Sequence, residues 1–429
     1  MILLKNVSVK GENNQDVLIV DQKIKQIANP NTINAPDALT VDLTGKILLP
    51  GLVDLHTHLR EPGREDSETI ETGSKAAAAG GFTAVHAMAN TLPVADTAGV
   101  VEQVWNLGQR IGLVDVVPVG AVTVGLNGEQ LAELSAMAQS SAQVKIFSDD
   151  GKCVHDPVLM RRALEYVKAF DGVIAQHAQE PRLTQNSQMN ESLLSGQLGL
   201  VGWPSVAEES IVARDVLLAE HVDSKLHICH ASTAGTVEIL RWAKQRGIKV
   251  SAEVTPHHLI LTEDNCRDYD ARFKVNPPLR SNSDLKALQE ALASGVIDVV
   301  ATDHAPHPAE DKEGEWNQAA FGMTGLETAL SVVATVMISN KKMNWTDIAR
   351  VMSENPAKIA QLKDHGRPIN ENEVANLCVI DPDVEWTVDA NQTHSLSKNN
   401  PYHGIKLKSK VIHTIHKGKF TYKSGEIVS

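Results

Sequence analysis

The chain is poor in aromatic residues and in cysteine. Phe, Trp and Tyr number 6, 6 and 4 among 429 residues. The four cysteines, Cys153, Cys229, Cys266 and Cys378, are far apart and form no C-x-x-C. That excludes a disulfide framework and a cysteine-based zinc site. No long basic run is present and the net charge is −13, so nucleic acid and anionic membranes are not expected partners. The longest uncharged apolar stretch, around Ala329 to Ile338, falls well short of the roughly 20 residues a bilayer needs. The N-terminal MILLKNVSVKG has too few apolar residues before Lys5 for a signal peptide. A cytoplasmic protein is expected. There is no internal repeat and no low-complexity block. What is abundant is histidine, with 17 residues, a side chain suited to proton transfer and metal binding.

Short Val- and Ile-rich runs alternate with helix-like segments. The strand runs are Gly51–His58, Phe82–Asn90, Val114–Val124, Val144–Asp150, Gly172–His177, Lys225–His230, Lys249–Thr255 and Val296–Asp303. They are apolar throughout, as parallel strands buried on both faces are. Helix starts are expected at Asp156-Pro157, at a Ser205/Glu208 capping box, at Ser232 and at Ser283, with Gly247 and Gly295 as ends. Eight such units predict an α/β fold of the (β/α)8 barrel type. An open doubly wound sheet is the rival, but no G-x-G-x-x-G follows the first strand. Both flanks read instead as short alternating strands with Gly turns. Neither could bury a core alone, so the two ends are expected to pair into one small β-sandwich domain. The expected division is residues 1–50 plus 358–429 for that domain and 51–357 for the barrel.

His56-Thr57-His58 places two imidazoles on one strand face. Chance supplies about 0.7 such pairs at this composition, so the motif alone is weak. The other strand ends strengthen it. Asp149-Asp150 ends the fourth strand, His177 the fifth, His230 the sixth and Asp303 the eighth. A barrel gathers these ends into one ring, where a mixed N/O donor set suits two divalent ions such as Zn²⁺.

The run Asp54-Leu55-His56-Thr57-His58, with Ala301-Thr302-Asp303-His304 at the eighth strand, resembles the amidohydrolase superfamily. The longer string His56 to Gly63, HTHLREPG, resembles the dihydroorotase family. So do Ala89-Asn90-Thr91, Phe147 to Gly151, Val275 to Arg280 and Thr302 to His307. The resemblance covers essentially the whole chain and is greatest to the bacterial type-I enzymes, which carry Asp-Asp-Gly after strand four.

That resemblance implies reversible cyclisation of N-carbamoyl-L-aspartate to (S)-dihydroorotate plus water, in de novo pyrimidine (UMP) synthesis. It implies two Zn²⁺ per subunit. His56, His58 and Asp303 would hold the first and His177 and His230 the second, with Asp150 bridging. A carboxylated Lys145 is the rival bridge. Asp303 would be the general acid/base. Arg60, Asn90 and His307 would take the substrate carboxylate, His58 would touch the substrate, and Asn276 and the Phe321-Gly322 backbone would meet the ring amide. A homodimer and an association with aspartate transcarbamoylase are left open.

Blander roles are expected for the remaining residues. Asp149 reads as a turn residue, His86 and Cys229 as core, and His257-His258 as packing. Glu208, Glu209 and Glu327 read as caps or solvated helix faces. The segment His307 to Phe321 reads as a mobile lid. Two other functions compete. A dihydropyrimidinase or allantoinase would use the same metals but has no substrate carboxylate for Arg60 and Asn90. A non-catalytic partner of aspartate transcarbamoylase would lack metal ligands.

Overall fold

The computed structural model describes residues 1–428. Five strands come first: β1 (Ile2–Val9), β2 (Asn13–Val20), β3 (Lys23–Ala28), β4 (Leu39–Asp42) and β5 (Ile47–Pro50). Next, β6 (Leu52–Thr57), β7 (Phe82–Ala87), β8 (Asp115–Pro118), β9 (Ile146–Phe147) and β10 (Val173–Gln176) alternate with helical segments. A small ladder, β11 (Met189–Asn190) with β12 (Gly202–Trp203), occupies one of the long linkers. β13 (Leu226–Ile228), β14 (Val250–Val254) and β15 (Val299–Val300) follow. The chain ends with β16 (Leu377–Thr387), β17 (Lys406–His416), β18 (Lys419–Lys423) and β19 (Glu426–Ile427).

The eight strands predicted to form the barrel do so. One parallel ladder holds β6, β7 and β8, and another holds β9, β10, β13, β14 and β15. Single parallel bridges from Gly120 to Phe147 and from Thr57 to His304 join the two ladders into a ring. Leu55, Met88, Val119, Ile146, Val173 and Val299 belong to one buried cluster and fill the interior as a packed core. The polar strand ends sit above it.

The chain ends combine into a second sheet, ordered β19-β18-β17-β16-β5-β1-β2-β3, with β4 beside β1. The seam is β5. It pairs in parallel with β1 and antiparallel with β16, through Leu377 opposite Pro50 to Ile380 opposite Ile47. Ile2, Leu4, Val17, Leu48, Val379 and Ile415 share one apolar core there. Residues more than 300 positions apart thus complete each other's burial.

Several helix starts differ from expectation. Asp156 does cap its helix, accepting from the Leu159 N–H at 2.7 Å with Pro157 at the first position. Ser205 lies in helical conformation and caps nothing. Thr233, not Ser232, caps the helix Ala234–Gln245, and Ser281 with Asp284, not Ser283, forms the box that opens Asn282–Ser294.

Glu208 explains two of these differences. It is buried, not a cap or a solvated face. Its carboxylate accepts from the Ser232 N–H at 2.9 Å and from the hydroxyls of Ser232 and Thr236. It also faces Arg280 Nη2 at 3.9 Å. Arg280 is buried and donates to Asn190 Oδ1 at 3.0 Å and the Trp203 carbonyl at 2.7 Å, tying the linker ladder to the barrel. Leaving such a cation without its carboxylate is strongly destabilising. Glu208→Ala is therefore expected to lower the unfolding free energy by about 3 kcal/mol in a denaturant titration. A change within about 0.5 kcal/mol, typical of surface positions, would show that the pair does not hold the fold. Glu327 is also engaged, accepting from the His394 N–H at 2.7 Å and pairing with its Nδ1 at 2.9 Å.

Candidate active site

The six side chains expected as ligands meet at the C-terminal mouth of the barrel, and all are buried. Asp150 stands between two groups. Its Oδ1 lies 3.0 Å from His177 Nδ1 and 3.0 Å from His230 Nε2. Its Oδ2 lies 3.3 Å from His56 Nε2 and 3.4 Å from His58 Nε2. Asp303 Oδ1 joins the second group, 3.1 Å from His58 Nε2 and 3.6 Å from His56 Nε2.

The far nitrogens of three rings fix the tautomers. His56 Nδ1 donates to Glu253 Oε1 at 2.6 Å, His58 Nδ1 to Asn90 Oδ1 at 2.9 Å, and His177 Nε2 to Gln179 Oε1 at 2.8 Å. These oxygens only accept, so the opposite nitrogens turn their lone pairs toward Asp150 and Asp303. Lone pairs facing carboxylates repel unless a cation lies among them. His56 Nε2 is buried without any hydrogen-bond partner. A buried mixture of imidazole and carboxylate donors, arranged in groups of three, fits divalent ions of the zinc class. The electrostatics agree. Burial opposes the His56 imidazolium, yet the charges of Asp150 and Glu253 hold its pKa well above the ordinary value. Burial likewise opposes the Asp150 carboxylate, and the surrounding imidazoles hold it well below the ordinary range. The cluster stabilises positive charge at its centre.

His230 reaches this centre through an unusual backbone. Strict alternation would place Cys229 inward and His230 outward, since Cys229 belongs to the interior cluster. His230 has φ 30°, a left-handed conformation costing about 1 kcal/mol for a side-chain-bearing residue. Both residues then turn inward. Cys229 is core, as expected, but it does not face away from the centre: its Sγ groups with His56 and Glu253.

Glu253 is the residue that the sequence reading missed. It is buried on β14, binds His56, pairs with His227 Nε2 at 3.0 Å and accepts from the His230 N–H at 3.2 Å. The signal was present. In V-S-A-E-V, Val250 and Ala252 pack outside the barrel, so alternation turns Ser251 and Glu253 inward. Removing such an outer carboxylate typically weakens metal binding 10- to 100-fold. Glu253→Gln is expected to raise the zinc dissociation constant by about that factor, measured by competition with a chelator. An unchanged constant would reduce Glu253 to packing.

Beside the cluster lie the residues expected to meet substrate. Arg60 has φ 63° and donates through Nε to the Pro306 carbonyl at 3.1 Å. Burial pushes its guanidinium down to about 10, so it stays charged near neutrality. His307 Nε2 lies 2.8 Å from the Phe321 carbonyl, which can only accept, so this nitrogen carries the proton. Arg60 Nη2 stands 3.3 Å from that same nitrogen. The guanidinium and the imidazole therefore stand side by side next to the cluster, with the imidazole proton held by the Phe321 carbonyl. Burial and the Arg60 charge together keep His307 neutral. Asn276 Nδ2 donates to Gln179 at 3.2 Å, while its shielded Oδ1 has no partner.

The Phe321-Gly322 backbone is largely engaged within the protein. The Gly322 N–H donates to the Lys274 carbonyl at 2.9 Å, and the Gly322 carbonyl accepts from Lys312 and Asn399. Gly322 has φ 144°, and a Cβ there would lie 2.8 Å from His307 Nε2. The 307–321 segment is tied back to the barrel loops by Lys312. Lys312 Nζ donates to the carbonyls of Lys274, Ala320 and Gly322 at 3.3, 2.7 and 3.0 Å.

The remaining expectations resolve simply. Lys145 Nζ donates to the Phe170 carbonyl at 2.9 Å, below the cluster. Asp149 accepts from the Val122 and Thr123 N–H groups at 2.8 and 2.9 Å and so positions a neighbouring loop. His86 is core, bonded to the Asp54 carbonyl at 2.8 Å. His257 and His258 are buried beside the site, and His257 Nε2 has no partner. No helix among the described residues is long and apolar enough to cross a membrane.

Comparison with known proteins gives a consistent answer. Residues 45–236 match the family model described as dihydro-orotase-like. The dihydroorotase of Streptomyces coelicolor is 61% identical over 99% of both chains. That of Mycobacterium tuberculosis is 56% identical over 99% of both. Among solved structures, an L-hydantoinase (dihydropyrimidinase) from Arthrobacter aurescens superposes with TM-score 0.88 at 25% identity, over 100% of this chain and 97% of its own. The fold is thus shared with other hydrolases of cyclic amides, while the sequence is much nearer one branch: the chain belongs to the dihydroorotase family.

Proposed function

We propose that the chain interconverts N-carbamoyl-L-aspartate and (S)-dihydroorotate at a two-zinc centre bridged by Asp150. The charged guanidinium of Arg60 beside the metal-type cluster carries this reading. Its Nε is held by the Pro306 carbonyl, and a carboxylate fits a guanidinium fork so aimed. A hydantoin ring offers no carboxylate there. Asn90 supports the same slot: its Oδ1 is taken by His58, which leaves Nδ2 to donate.

His56, His58 and Asp303 would hold one ion and His177 and His230 the other, with one Asp150 oxygen directed to each pair of imidazoles. When bound, the ions supply an acidified water, polarise the ring carbonyl and, in the reverse direction, screen the side-chain carboxylate. The protein does the rest. Asp303 accepts a proton in hydrolysis and returns it to the leaving ring nitrogen. In cyclisation it accepts the ureido N–H proton. Asn276 Oδ1 accepts from a ring N–H and holds that nitrogen in line. Lys145, bonded to Phe170, has no part in this arrangement.

The test is Arg60→Ala. It is expected to lower kcat/KM for dihydroorotate by about 100-fold or more, as loss of a charged, shielded contact does, with metal content unchanged. Wild-type kcat/KM in this variant would remove the carboxylate assignment and reopen the hydantoinase reading.

A further inference from the structure

A second group of metal-type donors lies at the opposite end of the barrel. Asp115 begins β8, His365 lies after the last barrel helix, and His416 ends β17. His365 Nε2 is 2.8 Å and His416 Nε2 is 3.4 Å from the same oxygen, Asp115 Oδ2. Both imidazoles are buried, at 4% and 5% exposure. Lys417 Nζ takes the other carboxylate oxygen, Oδ1, at 2.6 Å.

The tautomers decide what belongs between these groups. His416 Nδ1 faces the Gly112 carbonyl at 3.4 Å. A carbonyl only accepts, so the proton sits on Nδ1 and the Nε2 lone pair points at Asp115. That Nε2 is buried with no hydrogen-bond partner. His365 Nδ1 is 3.0 Å from Thr83 Oγ1. The Asn376 side-chain amide also donates toward His365 Nδ1, at 3.5 Å, so that nitrogen accepts, and His365 Nε2 donates to Asp115 Oδ2 at 2.8 Å. With no ion present, the buried His416 lone pair faces a carboxylate oxygen with nothing between them. Protonating His416 as well would add a buried imidazolium to a carboxylate that half-exposed Lys417 and His365 already partner. A single divalent ion that displaces the His365 Nε2 proton would take both ring nitrogens and the carboxylate oxygen together.

We infer that Asp115, His365 and His416 form a structural site for a zinc-class divalent ion. Two imidazoles and one carboxylate are a donor set that such an ion takes. A cavity of about 620 Å³, bordered by Asp115, Asp364 and Lys417, reaches the carboxylate from solvent. The ligands come from the barrel, the segment leaving it and the terminal sheet, so the ion staples the two layers together.

The probe is zinc, counted per chain by mass spectrometry on purified holoenzyme. Wild type is expected to hold one equivalent more than His416→Gln, with dihydroorotate turnover the same within twofold. The difference between the two proteins cancels whatever the catalytic centre holds, so it fails or succeeds independently of the two-zinc reading. Equal zinc in both proteins overturns the site. Anomalous diffraction at the zinc edge, from wild-type crystals, does not depend on the variant folding. A peak among the three side chains supports the site, and none overturns it. Nε2 protons seen by NMR on both rings would also overturn it, because protons would then fill the position.

Discussion

Asp303→Asn is expected to lower kcat in both directions by about 10³-fold, the middle of the range for losing a positioned acid/base. Metal content is expected to remain at the wild-type value. The change keeps the shape and one ligand oxygen but removes the ability to take a proton. Asp303 Oδ1 is 3.1 Å from His58 and its backbone has φ 47°, so the carboxylate is aimed by a conformation that most residues avoid. The assay is steady-state turnover of dihydroorotate and of carbamoylaspartate beside metal analysis. Turnover within tenfold of wild type, with metal intact, would assign the proton to another group. Lost metal would show that Asp303 matters chiefly as a ligand.

Asp150→Ala is expected to be at least as damaging, through a different route. One carboxylate faces all four imidazoles, with two on each oxygen. Its removal leaves the two groups without a shared anion, so bound zinc is expected to fall by at least one equivalent and kcat by about 10³-fold or more. Lys145→Met is the matched control. Lys145 bonds to the Phe170 carbonyl, so turnover and zinc content in that variant are expected to stay within about threefold, a surface-like effect. The opposite pattern, tolerant at Asp150 and dead at Lys145, would make the modified lysine the bridge.

Much of this centre was legible in the sequence because barrel topology turns strand ends into neighbours. His56, His58, Asp150, His177 and Asp303 needed only a strand period and a ring. What stayed illegible depends on pairing between segments. Glu208 looked like any acidic residue on a helix, because its partners Ser232 and Arg280 lie 24 and more positions away. Glu253 was hidden by the attention given to strand ends, although it sits inside a strand. The inward turn of His230 rests on one dihedral that no periodicity encodes. Lys312 reads as a surface lysine until the three carbonyls around it are known. Sequence patterns record which face a residue shares. They do not record which distant group meets it there.

The seam at β5 has a consequence for synthesis. On the ribosome β5 emerges early, but β16, its antiparallel neighbour, lies more than 300 residues downstream. At 5–20 residues per second, that is a wait of roughly 15–65 seconds. Throughout that interval the N-terminal strands present an unpaired edge, the kind of surface that templates association between chains. The whole barrel must be made while that edge stands open. Nascent chains arrested before residue 377 should therefore be the aggregation-prone species and the natural clients of a chaperone, whereas release of the last fifty residues should end the exposure in one step.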